Sequence, residues 1–204
     1  MDSVLENRDY TLMIDKSSSM ATADLPGGKT RWQIAQESTL ALAQKCEAID
    51  PDGITVYLFS GRFKRYDNVK SDKVASIYAE NEPMGRTDLA SVLQDGLSNY
   101  FQRKAAKQTK ANGETFLVIT DGEPTDHKAV IRTIIEAANQ IDRDEELAIS
   151  LIQVGHDKKA MAFLKTLDDQ LQEAGAKFDI VDTITVEDMQ DMNLSDVLLK
   201  AITD

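Results

Sequence analysis

The chain has one cysteine in 204 residues, Cys46, which excludes a disulfide framework and a thiolate metal cluster. Basic charge is also short. Twenty-three Lys and Arg against 35 Asp and Glu leave a formal net charge of −12, the sign carried by nucleic acid and anionic lipid, so nonspecific attraction to either is excluded. The longest basic cluster is Arg103, Lys104, Lys107 and Lys110. It falls at the end of a predicted helix and reads as a solvated terminus that complements the helix dipole. No apolar run approaches the roughly 20 residues that cross a bilayer. Met1 to Arg8 is polar and acidic, not a basic-then-apolar leader, so a cytoplasmic protein without membrane or nucleic-acid partners is expected. The two histidines, His127 and His156, lack a Ser or Cys nucleophile at a recognisable elbow and read as polar residues of an upper rim. Zinc is disfavoured for want of Cys and His ligands.

The 42% hydrophobic content suffices for one sizeable core, and nothing punctuates a second, so residues 1–204 read as one domain with its core from about 10 to 202. Apolar runs alternate with amphipathic stretches throughout, the pattern of parallel strands covered on both faces by helices. Strands are expected at Tyr10 to Ile14, Ile54 to Phe59, Thr115 to Thr120, Leu147 to Val154 and Phe178 to Thr183. Phe63 to Tyr66 follows Phe59 too closely for a crossover and is expected to return antiparallel as a short edge strand, blunted by Lys64 and Arg65. Helical spacing predicts inward stripes at Trp32, Ala35, Thr39, Leu42, Cys46 and Ile49, at Leu89, Val92, Leu93, Leu97 and Tyr100, and at Val130, Ile131, Ile134, Ile135, Ala138 and Ile141. Further helices are predicted near Asp72 to Ala79, Lys158 to Ala174 and Val186 to Ile202. The predicted fold is an α/β, doubly wound three-layer α/β/α sandwich on a mostly parallel six-stranded sheet.

Ligands of such sheets collect at the carboxyl ends of the strands, where strand order reverses. Asp15, Ser17 and Ser19 stand at alternate positions after the apolar run Leu12-Met13-Ile14 and present hard oxygen ligands suited to Mg²⁺. Asp121 follows the strand Phe116 to Ile119, with Gly122 free to turn the backbone. Gly85-Arg86-Thr87-Asp88 opens a helix that Thr87 or Asp88 would cap. Ala21 to Thr30, with Pro26, Gly27 and Gly28, reads as a loop walling the site. Gly28-Lys29-Thr30 ends like a phosphate-binding loop, but Ala23 stands where the full pattern asks for Gly, so it reads as a turn before a helix with Lys29 exposed.

Asp15-Lys16-Ser17-Ser18-Ser19, Gly85-Arg86-Thr87-Asp88-Leu89 and Val118-Ile119-Thr120-Asp121-Gly122-Glu123 together resemble the three separated elements of the von Willebrand factor type A domain. The resemblance spans Tyr10 to about Ile202. It implies a Rossmann-like fold with a metal-ion-dependent adhesion site, in which Asp15, Ser17, Ser19, Thr87 and Asp121 surround Mg²⁺, or Mn²⁺ or Ca²⁺, directly or through water. A partner protein would supply an Asp or Glu to the open position, and there would be no catalytic turnover. Two residues depart from the family pattern: Ser18 and Arg86 stand where Gly is usual. Among family members the chain looks most similar to stand-alone bacterial domains of the tellurite-resistance and stress-associated kind. Lys29, Arg31, Arg86, Glu123 and His127 would form the rim that selects partners. Two other readings stay open. A haloacid-dehalogenase-type phosphotransferase would use Asp15 as nucleophile, although its usual second Asp is replaced by Ser17. In a structural subunit, the cation would only stabilise the fold.

Overall fold

Six strands form one sheet in the computed structural model, which describes residues 4–203. They are β1 (Asp9–Asp15), β2 (Ile54–Phe59), β3 (Phe63–Val69), β4 (Glu114–Thr120), β5 (Leu147–Gln153) and β6 (Val181–Thr185). Their order is β3-β2-β1-β4-β5-β6. All pairings are parallel except that of β3, which returns antiparallel on β2. Every residue of β4 and β5 is buried, as expected where helices cover both faces and leave no polar alternation to read.

Among the described residues seven α-helices supply that cover: α1 (Arg31–Ile49), α2 (Ser71–Ala79), α3 (Leu89–Ala105), α4 (His127–Ala138), α5 (Lys158–Asp169), α6 (Val186–Asp191) and α7 (Leu194–Thr203). Period-two alternation splits the core. Leu12 and Ile14 of β1 pack with Ala35, Leu42 and Cys46 of α1, Val74 and Ile77 of α2, and Val197 and Leu198 of α7. Met13, between them, faces Val92 and Leu93 of α3, Ile134 of α4 and Leu164 of α5. Gly96 lets α3 lie close to the sheet, because a Cβ there would come within 2.5 Å of Met13 Cε and 3.0 Å of Phe116 Cε1. The three-layer doubly wound architecture is therefore as the sequence predicts.

Local differences have identifiable causes. β6 begins three residues later than expected because the preceding segment is held by α4: Asn139 Oδ1 accepts from the Lys177 backbone N–H at 2.8 Å and Asn139 Nδ2 donates to the Gly175 carbonyl at 3.1 Å. The last predicted helix is two, α6 and α7, divided at Met192-Asn193, where Asn193 Oδ1 accepts from the Ser195 N–H at 3.0 Å in an Asx-type turn. The helix predicted to Ala174 stops at Asp169. β3 runs on to Val69 instead of Tyr66, with a register shift between Ile54 and Val56 that accommodates the extra length.

The basic cluster is a solvated terminus only in part: Arg103 and Lys104 stand in the last turn of α3 and Lys107 is exposed, but three of the four are paired with acids. Arg103 bonds to Asp9 at 2.7 Å and to buried Glu114, Lys104 reaches Glu146 at 2.7 Å, and Lys110 reaches buried Asp50 at 2.5 Å. These pairs sit at the amino ends of the strands, opposite the candidate site. Wholly buried Arg8 joins them, donating to Thr115 Oγ1 at 2.6 Å and to the Glu145 and Glu114 carbonyls at 2.6 and 3.0 Å.

From β1 the chain steps to β2 and β3 on one side, then crosses to β4 on the other. Strand order thus reverses between β1 and β4. Their carboxyl ends deliver Asp15 and Asp121 to the crevice where such folds bind ligands.

Candidate metal centre

Asp15 ends β1 with its side chain fully buried, and both carboxylate oxygens are engaged by neutral donors. The Ser17 backbone N–H donates to Oδ1 at 2.7 Å, and the Thr120 hydroxyl, the last residue of β4, donates to Oδ2 at 2.7 Å. Burial pushes the Asp15 carboxyl up to about 6, against the lowering effect of these bonds. No cation pairs with it among the described residues.

A short 3-10 turn, Ser18–Ala21, follows at once and turns the serines toward β4. Ser17 Oγ lies 3.1 Å from Ser19 Oγ, and Ser19 Oγ donates to Asp121 Oδ1 at 2.8 Å. Asp15, Ser17, Ser19 and Asp121 are thereby tied into one polar chain between two strands. The carboxylates and Ser17 lie in the interior while Ser19 opens to solvent, so the chain has a buried base and an accessible mouth.

Thr87 arrives differently. It is buried just before α3, and its carbonyl accepts from the Thr125 N–H at 2.8 Å and from Thr125 Oγ1 at 2.9 Å. Its backbone therefore ties its loop to the one carrying Asp121, while among the described residues its hydroxyl is not bonded into the serine–aspartate chain. The capping role falls to Asp88, whose Oδ1 accepts from the Ser91 N–H at 3.1 Å.

Ser18 closes the circle. Its backbone N–H donates to the Gly85 carbonyl at 3.0 Å, and its Oγ accepts from the Gly85 N–H at 2.9 Å. A glycine at position 18 would make the first bond and not the second. Gly85, at φ +85°, occupies the left-handed region that a side chain disfavours.

Arg31 is not a free rim residue. Its Nη1 donates to Asp121 Oδ2 at 2.9 Å, while Nε and Nη2 grip Asp24 at 3.1 and 2.6 Å. The guanidinium thus staples the loop after the serines onto the second carboxylate. Thr30 places it there by capping α1: its Oγ1 accepts from the Gln33 N–H at 3.1 Å, and Gln33 Oε1 accepts from the Thr30 N–H at 2.8 Å, a complete capping box. The Gly28-Lys29-Thr30 stretch is accordingly a turn into a helix.

Other rim residues are also partnered. Lys29 pairs with Glu37 at 2.7 Å, and His127 stacks on Phe163 with 4.1 Å between ring centroids. Arg86 is exposed and forms no ion pair among the described residues. Sequence reasoning missed Thr120 and the contact between Arg31 and Asp121. Thr120 was legible as the residue that ends β4 just before Asp121, whereas the Arg31 contact joins positions 90 apart and has no local signature.

The oxygens gathered here are two carboxylates and two serine hydroxyls, all hard donors of the kind that suit Mg²⁺, Mn²⁺ or Ca²⁺ and not a thiophilic ion. Among the described residues no group of three or more His, Cys, Asp or Glu gathers to hold a metal, here or elsewhere, so a cation at this point would rest on two carboxylates and on hydroxyls. The buried carboxylate of Asp15 without a cationic partner is the arrangement that a bound cation would relieve.

The comparisons with known proteins agree with this architecture. The family model of the von Willebrand factor type A domain matches residues 10–124, more than half of the chain, and the chain belongs to that family. Among solved structures it is similar to a point mutant of the PilB minor pilin from Streptococcus sanguinis, with a TM-score of 0.65 and 15% identity over 96% of this chain and 61% of that one. It thus spans less than two thirds of the pilin's length. It is also similar to the manganese-loaded TRAP protein of Plasmodium vivax, with a TM-score of 0.56 and 14% identity over 91% of this chain and 71% of that one. At such identities the likeness is one of fold. No curated protein matches the chain in sequence.

No described helix is long and apolar enough to cross a membrane.

Proposed function

We propose that the protein is a divalent-cation-dependent protein-binding module. Asp15, Ser17, Ser19, Thr87 and Asp121 would hold Mg²⁺, with Mn²⁺ and Ca²⁺ as alternatives, and an Asp or Glu of a partner protein would complete the shell. The observation that carries this reading is Asp15, wholly buried yet paired with no cation, at the point of strand reversal. The bound ion would supply an electrophilic centre for the partner's carboxylate. The chain's own part is to fix the oxygens in advance, through Thr120 on Asp15, Ser19 on Asp121, and the Ser18–Gly85 and Thr87–Thr125 contacts between loops.

The module acts without turnover of its own. A phosphoryl-accepting aspartate needs a neighbouring acid or base, whereas the residue two positions on, where that group would stand, is Ser17. The manganese carried by a protein of the same fold supports a divalent ion. A cytoplasmic location is part of the proposal, in keeping with the lone, buried and unpaired Cys46.

Calorimetric titration of Mg²⁺, Mn²⁺ and Ca²⁺, with melting curves of the wild type and Asp15→Ala, tests the site. Saturation near 100 times the dissociation constant stabilises the native state by about 2.7 kcal/mol, and Asp15→Ala loses that increment. Equal shifts in both proteins would remove the metal reading. Turnover of generic phosphomonoesters that Asp15→Asn abolishes would replace it with the phosphotransferase.

A further inference from the structure

Beside the candidate metal centre lies a pocket of about 710 Å³, between the turn joining β2 to β3 and the segment 81–86. Its charge is opposite to that of the protein. Lys16, Arg62, Lys64 and Arg86 line it and, among the described residues, no Asp or Glu does, although the chain as a whole carries −12. None of these four forms an ion pair among the described residues. Lys64 lies over the Tyr66 ring at 4.6 Å, and Glu80, outside the lining, adds a favourable field to it.

The wall is also apolar where apolar side chains are rarely left in water. Phe63 and Met84 line the pocket at 38% and 61% exposure, and they are two of the four large hydrophobic residues found exposed among those described. A cationic ring around exposed apolar side chains fits a ligand that is both acidic and hydrophobic.

Pocket and metal centre share their walls. Lys16 lies between Asp15 and Ser17, and Gly85-Arg86 immediately precedes Thr87. The shared backbone is fixed: the Lys16 N–H donates to the Phe59 carbonyl at 2.8 Å, the Met84 N–H donates to the Lys16 carbonyl at 2.7 Å, and the Asp88 N–H donates to the Ser60 carbonyl at 2.9 Å. The pocket is therefore preformed.

We propose that this pocket receives the flank of the same partner segment whose carboxylate would complete the cation site, and that this flank is a short peptide stretch carrying further acidic and large apolar side chains. The inference rests on the cation-dependent reading above and names the partner's chemistry. In an extended segment, side chains two apart lie about 7 Å from one another on one face, so an acid at the ion and apolar and acidic groups two and four residues away reach neighbouring parts of one surface. Arg86, in a position where the family usually has Gly, contributes to this selectivity.

The test uses the full chain and fluorescein-labelled peptides on an alanine–glycine background, read by anisotropy with Mn²⁺ or with chelator. One peptide carries a single Asp. The second carries that Asp flanked on both sides by Leu two residues away and Glu four residues away. The flanked peptide is expected to bind at least tenfold more tightly. Met84→Ser, and separately Arg62→Gln combined with Lys64→Gln, remove that advantage, and Met84→Ser, which alters no charge, leaves Mn²⁺ affinity in calorimetry unchanged. Equal binding of the two peptides, or an advantage that survives both variants, overturns the proposal, as does tighter binding of a labelled oligothymidylate. Flanked-peptide binding that persists in chelator and is lost in the variants upholds the pocket and overturns the cation-dependent reading. Failure of both peptides to bind overturns the two together.

Discussion

Arg31 Nη1 lies 2.9 Å from Asp121 Oδ2, so a fixed positive charge already rests on one of the two carboxylates expected to face the ion. The same guanidinium grips Asp24 at 2.6 Å, and its side chain is only 13% exposed. Asp24 balances that charge in the sum, but it lies on the more exposed side of the guanidinium, so the positive group stands nearest Asp121 and makes the potential there less negative than two carboxylates alone would. An ion held in such a site stays more electrophilic toward a partner's acid.

Replacing Arg31 by Gln removes that charge and keeps much of the volume. Affinity for Mn²⁺ is expected to rise by roughly tenfold, or about 1.4 kcal/mol, while affinity for an acidic peptide at fixed metal saturation falls. Calorimetry on the variant measures both. A drop in metal affinity would show instead that Arg31 serves chiefly to orient Asp121.

Gly155 offers a second handle on the same contact. It has φ +81°, and a Cβ there would come within 2.9 Å of Arg31 Nε and 3.2 Å of Cζ. Gly155→Ala is expected to cost about 1–2 kcal/mol from the backbone alone and to push the guanidinium off Asp121. The variant should share the raised Mn²⁺ affinity of Arg31→Gln, and the two substitutions combined should be less than additive. Full additivity in a double-mutant cycle would break the link.

The positions of β1, β2, β4 and β5 were legible because strands buried on both faces leave nearly unbroken apolar runs. The motif residues were legible because they lie at strand ends or just before helices, where local chemistry is distinctive. Asp15, Ser17, Ser19 and Asp121 are joined by hydrogen bonds at one edge of the sheet. The break between α6 and α7 was hidden because inward residues continue across it, from Val186 and Met189 to Val197 and Leu198. Asn193, a side chain that favours turns, was the available signal. The basic cluster misled for another reason: a helix end rich in Arg and Lys looks the same in sequence whether it meets water or acids from β1, β4 and the end of α1.

Lys110 tests that correction. Its Nζ lies 2.5 Å from Asp50 Oδ2 and 3.5 Å from Asp9 and Asp52, and the Asp50 side chain is 5% exposed. Lys110→Met strands a buried carboxylate. The cost expected in urea unfolding is about 2–3 kcal/mol, below the fully buried range because Lys110 itself is partly exposed. Adding Asp50→Asn should recover most of it. A single variant as stable as the wild type would return the cluster to the status of a solvated helix end.

Asp157 gives a pH signature at the start of α5. Its Oδ1 accepts from the Ala160 and Lys159 N–H groups, each at 2.9 Å, and these bonds, Ala160 first, hold its carboxyl below the usual range. Folding therefore favours the ionised form. Its contribution is complete above the unfolded value of about 3.9 and is lost as pH falls through the lower folded value. Asp157→Ala should cost about 1 kcal/mol near neutral pH, and its gap from the wild type in urea titrations should narrow below about pH 4. A gap constant down to about pH 2 would mean that the carboxylate's charge plays no part.

The double contact between Ser18 and Gly85 bears on how the site would meet an ion. Two loops bonded through both backbone and side chain, with a third tied to them through Thr87 and Thr125, have little slack left to lose. Cation uptake should then be governed by how fast water leaves the metal, not by how fast the chain finds its shape. The heat of binding should be dominated by the exchange of water for protein oxygens, with almost no heat-capacity signature of folding.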